Sequence, residues 1–149
     1  MYKRILVALE NGRADEALLP HIAQLARQLG SELLLVHVAD GFAARNFDQL
    51  KLNESEEMRT DRAYLDSAAA TLRAQGLVVQ TLLALGNPPN EILKTAESRQ
   101  CDLIAMTSHG HKLIGDIFLG STIEKVRHNT NVPILVVRAG NVSRPPFGK

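Results

Sequence analysis

The chain reads as an α/β protein, an open five-stranded parallel sheet with helices on both faces. Two observations predict this. Five short apolar runs lack polar alternation, and the segments between them carry apolar residues at helical spacing. Strands buried on both faces read as continuous apolar runs. Regular alternation of strand and helix leaves a parallel sheet covered by helices, with right-handed crossovers that follow from strand twist.

The elements follow in order. Ile5 to Leu9 is an unbroken apolar run. Ala14, Ala17, Leu18, Ile22, Leu25, Ala26 and Leu29 then share one face at three- and four-residue steps, and Gly30 stops that helix. Pro20 lies inside the pattern and predicts a kink or a later helix start. Leu33 to Ala39 is the second strand, interrupted only by His37. Gly41 to Asn53 is long and irregular, the character of a lid or a partner surface. Met58, Leu65 and Leu72 recur at seven, with Ala68 and Ala69 between them, and Gly76 ends this helix. Leu77 to Leu85 is the third strand. Pro88-Pro89 opens a helix carrying Ile92, Leu93 and Ala96, since proline suits a first turn. Leu103 to Met106 is the fourth strand, Ser121 opens the fourth helix, and Ile134 to Val137 is the last strand. One domain over 1–140 follows, with Asn141 to Lys149 as a mobile tail containing two prolines and a glycine.

Composition narrows the function. A chain of 149 residues suits one core and needs no metal or disulfide to fold. The formal charge is +1, Lys and Arg are scattered, aromatics are 4% and Trp is absent. Nucleic-acid binders show a basic patch, and single-strand binders add aromatic platforms; neither is present. Cys101 is the single cysteine, so an intrachain disulfide is excluded, which fits a reducing compartment. Its surroundings predict a partly buried, inert thiol. The opening Met1-Tyr2-Lys3-Arg4 runs straight into the first strand, with no long apolar segment, and predicts a cytoplasmic location without a membrane.

Ligands of open parallel sheets bind beyond the carboxyl ends of the strands, where the strand order reverses. Chemistry is therefore expected just after Leu9, Val38 and Met106. The informative stretch there is Thr107-Ser108-His109-Gly110, followed by nine residues and then Gly120-Ser121-Thr122. Glycines let backbone amides approach an anion, and a helix start at Ser121 would aim its unpaired amides at the same place. A phosphate cradle is one reading. A capping box of Ser121 with Glu124 is the other, and spacing alone leaves both open. Glu10, at the end of the first strand, reads equally as a ligand-binding or a solvated carboxylate. His109 and His111 lack a third metal ligand of matched spacing, so no metal site is expected. His37 reads as a hydrogen-bonded core histidine, and His21 and His128 as surface residues on helices. A Walker loop, a GxGxxG fingerprint and a GxSxG elbow are all missing.

From Ile5 to Val137 the chain resembles the universal stress protein family. The resemblance rests on Ile5-Leu6-Val7-Ala8-Leu9, Leu35-Val36-His37-Val38, Gly86-Asn87-Pro88, Asp102-Leu103-Ile104 and Val132-Pro133-Ile134-Leu135-Val136-Val137. It also rests on Gly110, nine residues, Gly120 and Ser121, which match the family's glycine motif. The chain departs from that motif at Thr107, where a glycine is usual, at Glu10, where aspartate is usual, and at Asn11-Gly12, which replaces a glycine-serine pair.

The resemblance implies an adenine-nucleotide-hydrolase-like three-layer fold that binds ATP or AMP, with magnesium accompanying ATP. It places Ala8, Leu9 and Glu10 beside the adenosine, Val38 backbone groups at the adenine edge, and Met106 in the base pocket. Thr107, His109, Gly110, Gly120, Ser121 and Thr122 would hold the phosphates, with Lys112 near their end. It further implies a homodimer paired through Val132 to Val137, an apolar edge that invites another chain. The role expected is a dimeric stress-response regulator rather than an enzyme. The alternatives are a nucleotide-free member acting only through protein contacts, and an adenylyl transferase using Arg45, Asp48 and Lys51.

Overall fold

The strands and helices alternate as expected: β1 (Arg4–Ala8), α1 (Asp15–Leu29), β2 (Glu32–Ala39), α2 (Glu56–Ala74), β3 (Val79–Leu85), α3 (Pro88–Ser98), β4 (Leu103–His109), α4 (Ile114–His128) and β5 (Ile134–Ala139). The computed structural model describes residues 1–39, 56–109 and 114–139. The Gly41–Asn53 stretch, Gly110, His111, Lys112 and the 141–149 tail lie outside those residues. All four strand pairings are parallel, in the order β3-β2-β1-β4-β5.

Side chains on a strand alternate between faces, and here the alternation builds a three-layer molecule. Ile5, Val7 and Leu9 pack with Leu18 and Ile22 of α1 and Leu65 and Leu72 of α2. Leu6 faces the other way, with Leu34, Val36 and Met106, against Ile92 and Ala96 of α3 and Val126 of α4. Neither face of the central strands reaches water, which is why their sequences show no polar alternation.

The helix boundaries follow local chemistry. Gly30 adopts φ 68°, the left-handed backbone that closes α1, and its amide donates to the Ala26 carbonyl. Pro20 is exposed and lies within α1, which starts at Asp15 rather than after the proline. Asn87 caps α3, its side chain accepting from the Asn90 amide at 3.3 Å, ahead of Pro88 and Pro89.

Two boundaries correct the sequence reading. First, α4 begins at Ile114, so Ser121 does not open it and the capping box is not formed. In the sequence, Ile114, Ile117 and Phe118 extend upstream the three- and four-residue spacing of the buried Thr122 and Val126. One glycine inside a helix costs only about 1 kcal/mol, so Gly120 does not halt it. Glu124 instead engages Arg127 at 2.9 Å and His128 at 3.1 Å. Second, β4 continues through Thr107, Ser108 and His109, which pair with Val137, Arg138 and Ala139. They are strand, not loop.

Leu35 is fully buried at the centre of the sheet. Leu35→Ala should lower the unfolding free energy by about 3 kcal/mol, the cost of a core cavity, as measured by denaturant titration. A loss below about 1 kcal/mol would place Leu35 outside the cooperative core.

Candidate functional site

From β1 the chain steps to β2 and β3 on one side, then returns to β4 and β5 on the other. The strand order thus reverses between β1 and β4, the place where open parallel sheets bind ligands, in a crevice beyond the carboxyl ends of the strands. Its β1 wall is the turn from Leu9 to Ala14.

That turn is organised by Asp15, the first residue of α1, which is completely buried. Its Oδ1 accepts from the Glu10 amide at 3.0 Å. Its Oδ2 accepts from the Asn11 amide at 2.8 Å and more weakly from the Gly12 amide at 3.3 Å. Asn11 has φ 57°, a left-handed conformation that asparagine tolerates better than most residues. Three successive amides thus converge on one carboxylate, as in backbone nests that hold anions. Tyr64 of α2 adds a fourth donor, its hydroxyl reaching Asp15 Oδ2 at 2.9 Å. Burial pushes the Asp15 carboxyl up from its ordinary range, outweighing the hydrogen bonds that pull it down. Burial, together with Asp15 itself, also pushes the Tyr64 phenol well up, which keeps it a donor.

A second set of contacts fastens α2 to the same turn. The Asn11 side-chain Nδ2 donates to the Asp61 carbonyl at 3.2 Å and to Asp61 Oδ1 at 3.0 Å. His37 of β2 donates through Nδ1 to the Leu9 carbonyl at 2.9 Å, and its Nε2 lies 3.5 Å from Asp61 Oδ2. The expected hydrogen-bonded histidine is thus found, half-buried, joining β1, β2 and α2.

The residues expected at the site divide by sheet face. Leu9 is buried among the α1 and α2 side chains, its amide donating to the Val36 carbonyl at 2.8 Å. Met106 is buried on the opposite face with Val126, so its side chain belongs to the core. Ala8 and Val38 border that same cluster. Glu10 is half-exposed at the end of β1. Thr107 is 2% exposed and ends up beside β5, two residues before the close of β4. Ser121 is exposed and Thr122 buried on α4, both beyond its first turn; their amides belong to the helix ladder. His109 and Gly120 are placed by backbone alone, at the end of β4 and within α4.

Two buried polar atoms lack a partner among the described residues: Asn11 Oδ1 and Thr107 Oγ1. Buried polar atoms are nearly always paired; Asn11 lies in the turn after β1, and Thr107 near the end of β4.

Sequence reasoning missed Asp15, Tyr64 and Asp61. Asp15 had a legible signal, an acidic residue opening a helix directly after a strand and turn. Nothing in the spacing of Tyr64 and Asp61 marks them, because their partners lie about 50 residues away.

A cleft of about 650 Å³ opens at the opposite, amino-terminal end of the sheet, lined by residues including Glu97, Cys101, His128 and Asn131. Cys101 is buried there, and burial pushes its thiol up, consistent with the inert thiol expected. No cluster of three His, Cys, Asp or Glu able to hold a metal occurs among the described residues. None of the helices they form is long and apolar enough to cross a membrane.

A raised carboxyl pKa in the folded state stabilises the fold at low pH and loses that contribution as pH rises through it. Wild type should therefore lose stability relative to Asp15→Asn as pH rises from about 4 to 7, followed by denaturant titration at each pH. The opposite slope would contradict the burial assigned to Asp15.

The profile of the Universal stress protein family matches residues 1–138. Universal stress protein MJ0577 of Methanocaldococcus jannaschii is 30% identical, over 95% of this chain and 98% of its own length. A universal stress protein of Thermus aquaticus is 29% identical over 93% of this chain and 100% of its own. Among solved structures, MJ0577 superposes with a TM-score of 0.75 at 31% identity, covering 93% of this chain and 96% of the other. The Archaeoglobus fulgidus universal stress protein in complex with dAMP gives 0.68 at 23% identity, covering 91% and 98%. A further universal stress protein in complex with cAMP gives 0.67 at 16% identity, covering 93% and 98%; at these lower identities the likeness is one of fold. Fold, length and sequence agree, and the chain belongs to the universal stress protein family.

Proposed function

We propose that this protein binds an adenine nucleotide, ATP or AMP, in the crevice between the carboxyl ends of β1 and β4, and acts as a regulatory module rather than an enzyme. The observation that carries this reading is a pair of polar atoms without a partner among the described residues, Asn11 Oδ1 in the turn after β1 and Thr107 Oγ1 on β4, on either side of the strand-order reversal. The dAMP and cAMP held by two relatives of the same fold support it.

The adenosine lies against the Glu10 turn, where the carboxylate accepts from ribose or base donors. The phosphates lie toward the end of β4 and the start of α4. The fourth helix starts at Ile114, seven positions earlier than the sequence suggested, and the amides of a helix's first turn favour an anion. A nucleotide that binds one arrangement of the neighbouring segments better than another biases a partner's affinity by that difference.

Dimerisation completes the reading. β5 is an edge strand, Ile134–Ala139, with Val136 43% exposed. An apolar parallel edge is a template for a second chain, and two-fold pairing closes the assembly.

Calorimetry with ATP and with AMP tests the central claim. Saturable binding is expected, weakened about tenfold by Glu10→Ala, the size of one charge-assisted hydrogen bond. A folded protein that binds neither nucleotide at millimolar concentration would overturn the claim and leave protein contacts as the function.

A further inference from the structure

The Asp15 carboxylate already fills the backbone nest formed by the turn after β1. The amides of Glu10, Asn11 and Gly12 all point to it, at 3.0, 2.8 and 3.3 Å. Those three successive donors, turned to one side by the left-handed backbone at Asn11, are the arrangement that elsewhere grips a phosphate. Here the anion is internal, fully buried and held by a fourth donor, Tyr64. Among the described residues, what the turn leaves unsatisfied is an acceptor, Asn11 Oδ1. That oxygen cannot exchange places with its amide nitrogen without losing two hydrogen bonds to Asp61.

We infer that Asp15 is a positioning residue that denies the β1 turn to phosphate and so decides which end of a nucleotide faces β1. The inference rests on the nucleotide reading and deepens it. With the nest filled, the backbone of the turn repels an anion and welcomes a hydrogen-bond donor, the chemistry of a base amino group or a sugar hydroxyl. Phosphate is left the β4 side. Without the Asp15 carboxylate the same three amides would become an anion site, and the two ends of the ligand would compete for one wall.

Amide NMR on the full isotopically labelled chain tests this, with inorganic phosphate and ATP as separate probes. In wild type, phosphate should leave the Glu10, Asn11 and Gly12 amides unmoved and slow to exchange, while ATP binds. In Asp15→Ser the same three amides should shift on adding phosphate, and the preference for ATP over adenosine should change by about tenfold. Asp15→Asn keeps one acceptor and serves if the serine variant does not fold; its amides should exchange faster than wild type and respond to phosphate more weakly than a vacated nest. Tyr64→Phe removes one donor yet leaves the carboxylate, and should stay silent to phosphate. Phosphate shifts at these amides in wild type, or silence in both Asp15 variants, would overturn the inference. Failure of wild type to bind ATP would instead overturn the nucleotide reading, whatever the phosphate result.

Discussion

The central strand β1 is held at both ends by an aspartate, and the rest of the molecule is arranged around that constraint. At its start, Asp102 accepts from the Lys3 amide at 2.8 Å and the Arg4 amide at 3.0 Å, fixing β1 against the beginning of β4. Partial burial pushes the Asp102 carboxyl up, but those amides outweigh it and hold it below the usual range. At its end, Asp15 gathers the amides of Glu10, Asn11 and Gly12. Three successive amides on one carboxylate fix the direction of the chain as it leaves β1. A crevice whose wall is fixed before a ligand arrives loses little entropy on binding.

The same bonds couple the wall to a helix. Tyr64 and Asp61, both on α2, meet Asp15, Asn11 and His37. A change in how α2 docks would be felt at the crevice without touching β4, while the orphaned Thr107 hydroxyl stands on the other wall. The two walls are thus built differently: one is tied down by internal charge, and the other ends in a strand that runs on into the connection leading to α4.

The strands were legible because each is buried on both faces, which leaves the unbroken apolar signature of Ile5–Leu9 and Leu33–Ala39. Gly30 and Pro88-Pro89 marked helix ends because their backbone preferences are local. The start of α4 was misread for the same reason inverted: Gly120 and Ser121 carry strong local boundary signals, and tertiary packing through Thr122 and Val126 overrode them. Met106 was legible as a strand residue but not as to face, since one residue of register moves a side chain to the other side of the sheet. Glu10 and Thr107 were marked by the family pattern. Asp15 was not, because its role depends on three amides turned by Asn11, and no spacing of side chains records the direction of a backbone amide.

A crystal structure of the protein grown with ATP bears on both walls at once. Adenosine is expected against the turn after β1, phosphates toward the close of β4 and the first turn of α4, and Asp15 still holding its three amides. Phosphates seated on the amides of Glu10 to Gly12 would contradict the role given to Asp15, and nucleotide in the cleft beside Cys101 and His128 instead would contradict the proposed nucleotide site.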